Sequence, residues 1–211
     1  MTVFAATGRA RRSVADLLDG LDDAQLATPS LCAGWSVKDV AGHLVAAVAT
    51  PTGTFLRELL RRRGDAHKTN TALARKLAER PAAELAGLLR EHADREFSPP
   101  VVGPRGPLSD GLVHEGDMRV PLGLPHAPPP ADVAPALEFI TTGRPVGFVP
   151  RGALRDLRLV ATDLDWAWGD GDPLEGRAID LLMAACGRTA LLPALTGAGV
   201  PVLAGRLTVR R

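Results

Sequence analysis

Apolar positions in the first 120 residues recur at helical intervals. In "RRSVADLLDGLDDAQLATPS", Val14, Leu17, Leu18 and Leu21 share one helical face, and the pattern stops in a Thr-Pro-Ser loop. Ser36 then offers an N-cap, with Asp39 at the third helical position as the acid of a capping box. The helix it opens is expected to pass His43, Leu44 and Val48 toward Phe55, Leu59 and Leu60, with a disturbance at Pro51 and Gly53. A third helical region, 66–96, is built on Leu73, Leu77, Leu85, Leu88 and Leu89 and breaks at Arg80-Pro81. "FSPPVVGPRGP" is loop by composition, and Leu108 to Met118 makes a fourth helix ended by Pro121 and Gly123. Four helices with such connections predict a bundle.

The pattern changes after "GLPHAPPPAD", whose prolines oppose both helix and sheet. One more helix is expected near 131–142. "LRDLRLVATDLDWAWGDGDPLEG" then alternates like a strand, with Leu157, Leu159 and Ala161 on one side and Arg158, Val160 and Thr162 on the other. A helix near 176–192 and a closing strand near 201–209 would complete a small α+β piece. The expected division is a helical bundle over 1–125, a proline-rich connector and helix over 126–150, and an α+β module over 151–211.

Composition narrows the function classes. The chain has 211 residues, 45% of them apolar, and a formal charge of +1, so no partner is selected by bulk charge, neither duplex nucleic acid nor an anionic membrane. Arg61-Arg62-Arg63 and Arg210-Arg211 read as short solvated clusters. Cys32 and Cys186 lack CxxC spacing and fit a reduced protein, with Cys186 in the core. The first residues carry too short an apolar run for a signal peptide, and no segment is long enough to span a bilayer. The expectation is a cytoplasmic protein, monomer or homodimer, acting on small molecules.

Five histidines carry the candidate chemistry. His67 and His92 sit in polar company, and His126 lies in the proline connector; all three are expected at the surface. His43 differs, because "VAGHLVAAV" surrounds it with small and apolar residues, where an imidazole needs a hydrogen-bond partner or a metal. His114 stands similarly in "GLVHEGD", with Asp110 one turn earlier on the same face. His43, Asp110 and His114 suit a divalent cation such as Zn²⁺, and three protein ligands leave a coordination position open. The same Asp110/His114 spacing also serves an ordinary helix ion pair. Asp117 and Arg119 read equally as groups that orient ligands or as a solvated ion pair.

The same segments carry a family resemblance. "LATPSLCAGWSVKDVAGHLVA" resembles the second-helix entry of the DinB-like metal-binding four-helix bundles, and is most similar to the mycothiol-dependent maleylpyruvate isomerase family. "LSDGLVHEGDMRVPLGLP" resembles that family's fourth-helix motif, and the stretch from "LRLVATDLDWAWGDGD" to "GAGVPVL" its C-terminal module. The resemblance implies a mainly α fold, a bundle followed by a small α+β module. It also implies a divalent metal held by His43, Asp110 and His114, and mycothiol as thiol cosubstrate. The function implied is a thiol-dependent isomerase or S-transferase acting on a small electrophile. Arg119 is its candidate anion contact, and no residue is assigned as general acid or base. The isomerase has Glu where this chain has Asp110, one methylene shorter, which unsettles the substrate more than the metal. A non-catalytic metal- or ligand-binding scaffold and a metal-assisted hydrolase are the rival readings.

Overall fold

The computed structural model describes residues 2–208. They are mainly helical, with one three-stranded sheet. The helices are α1 (Val3–Asp19), α2 (Asp23–Ala27), α3 (Val37–Ala49), α4 (Thr52–Arg61), α5 (Ala66–Ala78), α6 (Ala82–Glu91), α7 (Arg105–Arg119), α8 (Pro130–Thr142), α9 (Ala178–Ala185) and α10 (Gly199–Thr208). The strands are β1 (Leu157–Ala161), β2 (Ala167–Trp168) and β3 (Asp172–Gly176). Two compact units result: residues up to 96 with 117–125, and residues 97–116 with 126–208. α7 runs unbroken from the second into the first. Among the described residues no helix is long and apolar enough to cross a membrane.

In the first unit the capping chemistry works as its sequence implies. The Ser36 hydroxyl accepts from the Asp39 amide while the Asp39 carboxylate accepts from the Ser36 amide, so both orphan donors at the start of α3 are satisfied. The expected disturbance after α3 is a full break: Pro51 caps α4 and ends the α3 ladder at Ala49. Pro81 likewise separates α5 from α6, and the two pack differently, α5 on α3 and α6 on α1 and α3. Val14, Leu17 and Leu18 of α1 join Leu85 and Leu89 of α6 in one core with Val40, Leu44 and Val48 of α3. Each such side chain is worth about 1.5–3 kcal/mol when fully buried.

α3 and α5 pass close because Gly42 has no side chain. A Cβ at this position would meet the Ala74 carbonyl oxygen at 2.3 Å and the Ala78 nitrogen at 3.0 Å, both rigid helix backbone. Gly42→Ala should therefore destabilise by about 1–3 kcal/mol through overpacking, although the helix-propensity change alone would gain about 1 kcal/mol. Urea unfolding decides between them. An unchanged or raised midpoint would mean that the helices part at no cost.

The second unit has strand order β2-β1-β3, with β1 antiparallel to β2 (Leu159 opposite Trp168) and parallel to β3 (Leu157 opposite Asp172). Leu157, Leu159 and Ala161 are the buried face of β1, the alternation expected from the sequence. α9 is buried on all sides and packs on α8, β1 and β3. Its start is held by Asp163, whose carboxylate accepts from the Ala178 amide, and by the fork between Arg177 and buried Asp180 (2.7 and 2.9 Å). The hydrogen bonds it donates to Asp180 raise the Arg177 pKa.

Two expectations are corrected here. α9 ends at Ala185, because Gly187 adopts a left-handed φ of 89°, and Thr189–Ala194 is a separate 3₁₀ turn. The closing strand is the helix α10 instead. Pro201 falls in its first turn, where no hydrogen-bonded amide is needed, and Leu203 and Leu207 recur at helical spacing and are buried. The end of that expected strand, and the Arg210-Arg211 pair, lie outside the described residues.

Candidate metal centre

α7 carries most of the candidate site. Gly106, Gly111 and Gly116 give it weak intrinsic helicity, so packing must hold it: Leu108, Leu112, Val113 and Met118 are buried. Asp110 and His114 lie on a partly open face, their side chains 26% and 15% exposed, with His114 Nε2 3.4 Å from an Asp110 oxygen. Glu115 and Asp117, in contrast, are buried. Burial of Asp117 removes the reading of a solvated ion pair with Arg119.

The last turn of α7 is tied to the segment that precedes α3. There Ser30 and Trp35 close a turn, with the Ser30 amide donating to the Trp35 carbonyl at 2.9 Å and Gly34 at a left-handed φ of 76°. From this turn the Leu31 amide donates to the Asp117 carbonyl (3.1 Å), and the Cys32 thiol donates to the Asp117 carboxylate (3.1 Å). Trp35 leans on the His43 imidazole, ring centroids 5.5 Å apart and tilted by 58°. His43 is half-buried on α3. Arg119, in the final turn of α7, donates to the Ser13 hydroxyl at 3.4 Å.

Two groups of side chains have ligand atoms within 4.8 Å of one another, close enough to hold one ion. They are His43 with Asp110 and His114, and Cys32 with His114 and Asp117. The first is the set singled out in the sequence. Its two imidazoles and one carboxylate are a donor set that borderline divalent cations accept. The second was not anticipated. Its signal lay in "LCAGW", where a cysteine just before a capped helix reads only as a reduced thiol. Neither cysteine is in a disulfide.

Of the other histidines, His67 is exposed and His92 half-buried. His126 contradicts its expected exposure and is buried, 7% accessible. Its Nε2 lies 3.0 Å from the Leu112 carbonyl, so a helix oxygen serves the ring where water was expected to. Gly116 makes this approach feasible, since a Cβ there would stand 2.9 Å from the imidazole. Proline flanks restrict the backbone; they do not oblige a side chain to face solvent.

Residues 7–96 match the model of the mycothiol maleylpyruvate isomerase N-terminal domain. Among solved structures, a His-to-Ala mutant of the mycothiol-dependent maleylpyruvate isomerase superimposes with a TM-score of 0.53 at 18% identity, over 94% of this chain and 93% of that one. A structure of the mycothiol-dependent maleylpyruvate isomerase gives a TM-score of 0.49 at 16% identity, over the same shares of the two chains. No curated protein matches the chain. Residues 7–96 are thus similar to the N-terminal domain of the mycothiol maleylpyruvate isomerase, and the chain shares the fold of the solved isomerase mutant.

Proposed function

We propose that the protein is a divalent-metal-dependent enzyme that uses a low-molecular-weight thiol, mycothiol, to isomerise or S-transfer a small electrophile. The observation that carries this reading is the convergence of His43, Asp110 and His114 ligand atoms on a chain whose N-terminal helices match the model of that isomerase's N-terminal domain. Zn²⁺ fits the donor set best, and all three ligands precede the connector, so residues 1–125 are assigned as the metal-binding part. When bound, a dication lowers the pKa of a thiol it coordinates and so supplies thiolate near neutral pH.

The chain's own residues do the rest. His43 and His114 would offer imidazole nitrogens to the metal, and Asp110 a carboxylate oxygen. Trp35 packs against the His43 ring at a tilt. Cys32 and Leu31 hold Asp117 in the last turn of α7. Arg119 is the candidate contact for an anionic group of cosubstrate or substrate, steadied by Ser13.

Thermal melting of the metal-loaded protein with mycothiol, bacillithiol or glutathione tests the reading without a known substrate. At about 100 times its Kd a cosubstrate that binds only the folded state adds about 2.7 kcal/mol, or about 5–10 °C for a chain of this size. Mycothiol should give the largest shift, and the metal-free protein should barely respond. Equal and negligible shifts for all three thiols, with metal confirmed in the sample, would overturn the thiol-dependent reading. Hydrolytic turnover without added thiol would replace it with a hydrolase, and metal binding with no turnover at all with a scaffold.

A further inference from the structure

We propose that the second unit binds a small organic oxyanion, a carboxylate or a phosphate ester, in the cavity between α10 and the turn at 150–156 that leads into β1. Every residue of this position lies in the one unit and none is a proposed metal ligand, so the inference goes beyond the metal reading and does not depend on it. The cavity has a volume of about 830 Å³, within the range of about 300–1,000 Å³ that small-molecule sites occupy. Its lining sets the guanidiniums of Arg151, Arg155 and Arg206 against the one carboxylate of Asp156. The whole chain carries a formal charge of only +1. The excess of cations is therefore a property of this cavity and not of the composition.

The wall is held in place from both ends. Arg206, near the end of α10, donates from Nη1 to the Ala153 carbonyl (3.0 Å) and to the Arg155 carbonyl, which ties the turn to the helix. Ala153 and Leu154 are buried and anchor its middle. At its far end Asp156 holds a left-handed φ of 53°, which is unfavourable for a residue with a side chain. The start of β3 keeps it there. The Asp156 carbonyl accepts from the Asp172 amide at 3.0 Å, and a Cβ at Gly171 would lie 2.0 Å from that same oxygen. A wall built in advance lowers the ordering cost of binding. Guanidinium presents paired donors that match the oxygens of a carboxylate or phosphate. Pro150, Pro201 and Val202 give the cavity an apolar part, which favours an anion carried on a carbon skeleton. Asp156 repels a second anionic group, so a ligand with a single charged head fits best.

Isothermal titration of the full-length protein with butyl phosphate and with pentanoate reads the site, since the two probes share a four-carbon tail and differ in the head. Sodium chloride at about 0.15 M screens exposed charges more than about 8 Å apart. At least one probe should bind saturably, one per chain, and the tighter of the two tells a phosphate ester from a carboxylate. Arg151→Gln and Arg155→Gln should each weaken that binding by about 10-fold, the loss of one charge-assisted hydrogen bond. Both side chains are exposed, so the fold should not depend on them, and circular dichroism checks that it does not. Asp156→Asn keeps a residue that tolerates the left-handed backbone and removes the repelling charge, so it should tighten binding by about 2–5-fold. Arg158→Gln is the control, because Arg158 is exposed on β1 and outside the lining. No saturable binding of either probe would overturn the proposal. So would binding that neither arginine variant weakens, or that Arg158→Gln weakens as much as they do.

Discussion

Replacing His43 or His114 with alanine should abolish stoichiometric Zn²⁺ binding while leaving the protein folded. Each substitution removes one of three ligands, and losing even an orienting partner of a ligand costs about 10–100-fold in metal affinity, so losing the ligand itself should cost more. Folding should survive because neither imidazole belongs to the apolar core: His43 is half-buried and the His114 side chain 15% exposed. Asp110→Asn keeps the shape and removes the charge, and should weaken binding by less than either alanine. Elemental analysis of protein purified without an affinity metal measures all of this. Unchanged stoichiometry in both histidine variants would refute the assignment of the ligands. Acid should weaken binding in the wild type too, since an imidazole must be deprotonated to ligate.

The candidate residues could be read in the sequence where local rules fix the side chain. Ser36 and Asp39 could be assigned to the cap because the capping box is a four-residue device with its own hydrogen bonds. Asp110 and His114 could be paired because helix geometry puts i and i+4 together. What local rules do not reach is the identity of long-range partners. Cys32 and Asp117 are 85 positions apart, and nothing periodic links them. In "HEGDMR" Asp117 reads equally as an orienting group or as half of a solvated ion pair, and only the contacts of its carboxylate with the thiol and of its carbonyl with the Leu31 amide place it inside. His126 was misjudged for the same reason: a helix carbonyl and a missing Cβ at Gly116 decide its burial. α10 was read as a strand because Val200, Val202 and Leu203 suit either period over so short a run.

Arg11 should prove the most stability-sensitive charged residue of the first unit, although it is remote from every proposed ligand in sequence. It sits on α1 with only 7% of its surface accessible. Its Nη1 donates to three carbonyls just beyond the end of α6: His92 (2.9 Å), Ala93 (3.0 Å) and Arg95 (2.9 Å). A helix C-terminus leaves such oxygens without intrahelical partners, and a cation there also meets the negative end of the dipole. Burial lowers the Arg11 pKa, and the nearby Arg95 lowers it further while Asp94 raises it; an arginine tolerates this and stays charged. Arg11→Met keeps the length of the side chain and removes every donor. The carbonyls then lose a charged partner, each such bond being worth about 1.5–3 kcal/mol and not additive at a shared group, so a net loss of about 3 kcal/mol is expected. For a chain of this size that lowers the melting temperature by about 6–12 °C. Arg12 next to it is the control: it pairs with Asp94 at the surface, the two side chains 44% and 79% exposed, so Arg12→Ala should leave melting nearly unchanged. Arg11→Lys should fall between, since it keeps the charge but cannot present a rigid fork to several oxygens. If Arg11→Met melts with the wild type, the carbonyls at the end of α6 are served by water and the buried guanidinium holds nothing.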